Sequence, residues 1–202
     1  MNNELPVAPA LILIDIQKAF DQLESFGGER NNPGAEENAR LLLEYWREKE
    51  WPLFHIRHCS VKPGSPLAEG HPGNEFKKEV RPLSGETVIK KSVNSAFIGT
   101  DLKAQLDEQE IRTVVIAGLI TQHCVSTSAR MAGNYGYQTF VASDATAAFR
   151  VKGLNGEVYD AELVHQLSLA TINREFAQVI TTKEILEEMA STAGRTKEVA
   201  RP

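Results

Sequence analysis

The sequence predicts an α/β fold: a three-layer, doubly wound sheet, mainly parallel, with six strands in the order 3-2-1-4-5-6. Three observations carry this. Short apolar runs alternate with longer amphipathic segments, the runs lack the strict alternation of a half-exposed strand, and 202 residues suffice to enclose one central sheet. The first run is PALILIDI (9–16), apolar almost throughout, as a strand covered on both faces must be. WPLFHIRH (51–58), ETVIKK (86–91), RTVVIAGLI (112–120), YQTFVASD (137–144) and AQVITT (177–182) follow as the other five. Between them, AEENARLLLEYWREKE (35–50), GTDLKAQLDEQE (99–110), the segment after Cys124, and YDAELVHQLSLATINREF (159–176) have helical periodicity and the length to cross back over a sheet. ITTKEILEEMAS closes the sheet and opens a last helix. The expected organisation is therefore one domain over residues 1–190, with 191–202 as a loose tail.

Composition narrows the partners. A formal net charge of -5 and the absence of any long Lys/Arg cluster argue against a nucleic-acid surface. No apolar stretch approaches the roughly 20 residues that span a bilayer, and MNNELPVAP has no basic start leading into an apolar core. A cytoplasmic protein acting on a small molecule, with no membrane partner, is expected. The 2 cysteines, Cys59 and Cys124, lack metal-site spacing and read as free thiols of a reducing compartment.

Two connections depart from the regular pattern. Residues 59–85, CSVKPGSPLAEGHPGNEFKKEVRPLSG, carry four prolines and four glycines where a crossover helix is expected, and long irregular loops in compact domains are usually functional. The second is ATAAFRVKGLNGEV (145–158). Both are expected over the same sheet edge.

Ligands of open parallel sheets bind beyond the carboxyl ends of the strands, where the winding direction reverses. Asp15 follows LILI, Lys91 ends TVIKK, and Cys124 follows VVIAGLI by a short turn, so all three emerge at that edge. In the order 3-2-1-4-5-6, Asp15 and Cys124 lie on neighbouring strands, and Lys91 reaches over the second. Singly, each has an ordinary reading: a capping aspartate, a solvated amine, a small buried apolar group. Jointly they suggest a nucleophile with its base and its cation. With Thr121 as N-cap, Gln122, His123 and Cys124 would form a first helical turn, whose free N–H groups and dipole favour a thiolate. His123 is adjacent to Cys124 and does not share its helix face, so it reads as pocket wall or orienter.

LILIDIQKAF, VIKKSVNSAFIGTDL and VVIAGLITQHCVSTSARMAGNYGYQTFVASDATAAF, in this order, resemble the isochorismatase-like superfamily of hydrolases, specifically its cysteine hydrolase branch. The resemblance spans nearly the whole chain and implies a Rossmann-like hydrolase fold. It implies a catalytic Asp15, with Gln17 and Phe20 in step as substrate-binding candidates, a catalytic Lys91, and Cys124 as nucleophile. A cis peptide would join Leu119 to Ile120, turning the Ile120 N–H so that it and the Cys124 N–H form an oxyanion hole. The implied reaction is cleavage of a C–N bond in a small amide, N-carbamoyl or ureido compound through an acyl-enzyme. The implied assembly is a dimer or tetramer.

Departures from the family pattern narrow this. The vinyl-ether-cleaving members do not use a cysteine, so that activity is the alternative, together with a non-catalytic small-molecule-binding role. Nicotinamidases place D-x-H after the second strand for a metal. Here the stretch is HIRHCS, and His55 and His58 fall on opposite strand faces, with His71 further on, so no metal and no cofactor is expected. Arg57 is placed near the pocket, either clamping a substrate carboxylate or in a surface ion pair. Asn94, Phe97 and Phe149 are candidate pocket walls, although buried aromatics mostly serve packing.

Overall fold

The computed structural model describes residues 8–188 and 190; the expected tail at 191–202 lies outside the described residues. The elements run β1 (Ala10–Ile14), α1 (Ala35–Glu48), β2 (Leu53–His58), β3 (Thr87–Lys91), α2 (Leu102–Glu108), β4 (Thr113–Leu119), α3 (Ser126–Asn134), β5 (Gln138–Ala147), β6 (Val151–Lys152), β7 (Val158–Tyr159), α4 (Ala161–Ile172) and β8 (Gln178–Ile180). The main sheet has the order β3-β2-β1-β4-β5-β8, all neighbours parallel. This is the expected order, with β8 as the sixth strand. The fifth strand extends to Ala147, three residues into the stretch read as loop, and a β6–β7 hairpin occupies the rest. Among the described residues no helix is long and apolar enough to cross a membrane.

Strand alternation divides the core into two layers. Leu11, Leu13, Val115, Ala117 and Phe140 face Ala39, Leu42, Leu43 and Trp46 of α1, with Ile185 of the final helical segment. Ala10, Ile12, Ile14, Phe54, Ile56, Ile89 and Val114 face Leu102 and Leu106 of α2, Ala129 and Ala132 of α3, and Leu169 of α4. Cys124 belongs to this second layer.

The segment after β1 ties both irregular connections to the sheet. Gln17 bridges Phe76 of the first, and Arg30 bridges Phe149 of the second. Beneath the first lies a buried ionic cluster: Arg30 donates to both Glu36 oxygens at 2.7 and 2.5 Å, and Lys77 Nζ donates to Glu36 at 2.7 Å and to Asp21 at 2.6 Å. Burial raises the Glu36 pKa, but the hydrogen bonds and charges of Arg30 and Lys77 outweigh it and bring it down to about 2. A depressed carboxylate contributes stability that is present above its unfolded pKa and lost as pH falls toward the folded one. Glu36→Gln should therefore cost about 2 kcal/mol at pH 7 and much less at pH ~2.5. Urea midpoints at the two pH values check this; an equal loss at both would show that the charge is not what matters.

Candidate active site

Lys91 ends β3 on the same face as Ile89, while Lys90 turns outward and pairs with Glu69. From there the Lys91 side chain crosses over the end of β2. Its Nζ donates to Asp15 Oδ2 at 2.6 Å and to Val93 O at 3.1 Å, and lies 3.3 Å from Cys124 Sγ and 3.0 Å from His58 Nδ1. The three side chains from β1, β3 and the turn after β4 thus converge, with Asp15 0%, Lys91 3% and Cys124 7% exposed.

Alternation alone would send Asp15 to the α1 face with Leu13. Its left-handed backbone, φ 51, breaks the alternation, and the carboxylate meets Lys91 on the other side of the sheet. Oδ1 of Asp15 is sealed from solvent and has no hydrogen-bond partner. Burial raises the Asp15 pKa, and the Lys91 ammonium offsets this only in part.

The peptide joining Leu119 to Ile120 is cis, at the bond the resemblance implies. The N-cap differs from expectation. It is Ile120, the next residues Thr121–Val125 form a π-helical turn, and α3 starts only at Ser126. The Thr121 hydroxyl does not cap this turn. It lies 3.0 Å from Thr146 Oγ1 and 2.9 Å from Nδ1 of the buried His165. Nor does the site hold a standing thiolate: burial, then the neighbouring Asp15 carboxylate, push the Cys124 pKa well above that of a free thiol, and Lys91 only partly counters them. These surroundings favour the S–H form over the thiolate.

Most of the other expected site residues fall elsewhere. Gln17 is fully buried and spends its amide on backbone: Nε2 donates to His58 O and Asn74 O at 3.0 and 2.8 Å, and Oε1 accepts from His58 N at 2.9 Å. It braces the end of β2 and has nothing left for a substrate. Arg57 follows His55 to the far face of β2, where Nε donates to Asn74 O at 3.1 Å and the guanidinium lies over the Phe76 ring. Phe20 and Phe149 pack with Phe26 in one aromatic cluster of the α1 layer, and Phe149 is 0% exposed, so these rings fill the core. Phe97 is buried against Tyr135 and Tyr137. His123 is exposed. Asn94, also exposed, stands at the sulfur, with Oδ1 3.8 Å from Sγ.

The residue that sequence reasoning missed is His58. It ends β2 at the same edge as the other three, and its parity with Phe54 and Ile56 points it to the Cys124 layer, a signal present in the sequence. Burial first, then the charges of Lys91 and Lys62, lower its pKa to about 4, so the ring is neutral. The other two histidines considered for a metal have separate partners, His55 with Glu86 and His71 with the Gly73 N–H. Donor atoms of Asp15, His58 and Cys124 do lie within 4.8 Å of one another. All three contact the Lys91 ammonium, which fills the place a metal ion would take between them.

The chain is similar to known proteins over nearly its whole length. The isochorismatase domain family model matches residues 9–184. The isochorismatase family protein YrdC of Bacillus subtilis is 49% identical over 91% of this chain and 97% of its own length. The maleamate amidohydrolase of Pseudomonas putida is 30% identical, covering 92% of this chain and 89% of its own. An isochorismatase-family crystal structure from Chromobacterium violaceum superposes with a TM-score of 0.89 at 41% identity, over 95% of this chain and 100% of that one. With sheet order and full-length similarity in accord, the chain belongs to the isochorismatase family of hydrolases.

Proposed function

We propose that this hydrolase cleaves the C–N bond of a small amide, N-carbamoyl or ureido compound through an acyl-enzyme on Cys124. The observation that carries the reading is the shared ammonium: Lys91 Nζ binds Asp15 Oδ2 and contacts the sulfur, while Asp15 Oδ1 stays without a partner. That oxygen is the acceptor for the thiol proton. The maleamate amidohydrolase among the relatives supports the C–N assignment.

Attack and proton transfer are coupled, because the thiol pKa is too high for a thiolate to accumulate and the raised Asp15 pKa makes the carboxylate a better base than a solvated one. As Sγ adds to the carbonyl carbon, Asp15 takes the proton, and the N–H groups of Ile120 and Cys124 receive the developing oxyanion. The C–N bond then breaks, and protonated Asp15 gives its proton to the leaving amine. Water next loses a proton to Asp15 and adds to the thioester. The acid departs, and the sulfur regains its proton. Lys91 stabilises the negative charge that passes between carboxylate and sulfur.

The test is a panel of small acid amides and ureido acids, with quenched intact-mass analysis. One acyl adduct, mapped to Cys124 and absent from Cys124→Ala, is expected. Turnover of any amide by Cys124→Ala would refute the covalent route, and a wild type inert to the panel, without any adduct, would favour a binding role.

A further inference from the structure

We propose that His58 is a substrate-binding residue: its Nε2–H is held ready, by the contact of its Nδ1 with Lys91, to donate to an anionic acceptor oxygen, a carboxylate, carried beside the scissile carbonyl. This rests on Cys124 being the nucleophile and names the substrate class within that reading: amides or ureido compounds that bear an acid group.

An ammonium can only donate, so the Nδ1 that faces Lys91 Nζ at 3.0 Å carries the ring's lone pair and its proton resides on Nε2. Nε2 has no hydrogen-bond partner among the described residues, and it is absent from the buried polar atoms sealed from solvent. The side chain is 14% exposed, more than any of the three groups it adjoins. A donor in contact with the catalytic ammonium, reachable from solvent and unspent within the protein, is suited to a ligand.

The backbone of His58 cannot easily withdraw it. Gln17 brackets the residue from both sides, and Asn74 Nδ2 donates to the His58 carbonyl at 2.7 Å. The groups facing the ring set the sign of its preference. Lys91 touches it and Lys62 adds positive potential, whereas Asp15, 3.9 Å from Nδ1, is already paired with Lys91. Burial and the Asp15 carboxylate favour the uncharged form of Cys124. The potential at Nε2–H therefore favours an anion over a neutral acceptor. The ring also stays a single neutral donor, because protonation would set Nδ1–H against the ammonium.

Two readouts test this without any amide substrate, using full-length protein in a Cys59→Ser background so that Cys124 is the sole thiol. In protein labelled with 15N-histidine, long-range proton–nitrogen correlation should show His58 as the Nε2–H tautomer from pH 5.5 to 8. An Nδ1–H pattern, or a titration inside that range, would overturn the proposal. In the second, Cys124 is modified by iodoacetate and by neutral methyl methanethiosulfonate. His58→Phe should lower the ratio of the two rates at least about tenfold, and His58→Gln, which keeps a donor, should recover most of it. A fall common to both reagents would make His58 only a prop for Lys91, and an unchanged ratio would show no anion contact; either result overturns the proposal. If the amide panel instead finds no turnover, the hydrolase reading fails while both of these readouts can still succeed.

Discussion

Lys91→Met removes the one cation that Asp15, His58, Val93 and Cys124 share, and it should lower turnover by about 10³-fold while also destabilising the fold by about 3 kcal/mol. The two losses have one cause. Asp15 and Lys91 have fully buried side chains, and removing one partner of a buried pair strands the other charge away from water. Asp15 would then take up a proton at neutral pH and cease to be a base. Adding Asp15→Asn should restore much of the stability, since no buried charge remains, and none of the activity. Denaturant midpoints and turnover, measured on wild type, both single variants and the double, separate the two effects. A Lys91→Met protein as stable as wild type at pH 7 would mean that the pair is not sealed from solvent as described.

Gly118→Ala should leave no stably folded protein, a loss of more than about 4 kcal/mol. Gly118 pairs with Ile14 where the parallel strands β1 and β4 run side by side, just before Asp15 on one and the turn that carries Cys124 on the other. A Cβ there would lie 2.1 Å from Ile14 O and 2.7 Å from Ile14 N, against backbone that can yield only by unpairing the two central strands. The residue also has φ +134, a conformation that side-chain-bearing residues rarely adopt. Gly85→Ala is the control: its φ is +92, but nothing lies within 4 Å of the added carbon, so it should cost only about 1 kcal/mol. Comparable thermal midpoints for the two variants would refute the clash.

The sheet was legible because covered parallel strands are apolar on both faces, so LILI and VVIAGL declare themselves without any knowledge of their neighbours. The convergence of Asp15, Lys91 and Cys124 was legible for a related reason: strand ends at one edge are few, and each of the three sits at or just past one. Properties set by burial were not. A helix start in the sequence suggested an acidic thiol at Cys124, but the low polarity of its surroundings, fixed by side chains from distant strands, reverses the sign. Gln17 looked like a ligand-binding amide, and only the folded positions of the β2 end and of Asn74 show that three backbone groups already engage it. Strand parity separates Lys90 from Lys91; applied to Arg57 and His58, it would have discarded the first and recovered the second.

Asp15 follows the first strand of the sequence and Cys124 lies in the turn after the fourth, while Lys91, which contacts both, ends the third. On a ribosome, then, the thiol is threaded out with no working partner and stays an ordinary cysteine until the central strands have zipped together. Nascent and misassembled chains carry the sulfur apart from the carboxylate and the ammonium, and the same closure that completes the molecule brings the three together.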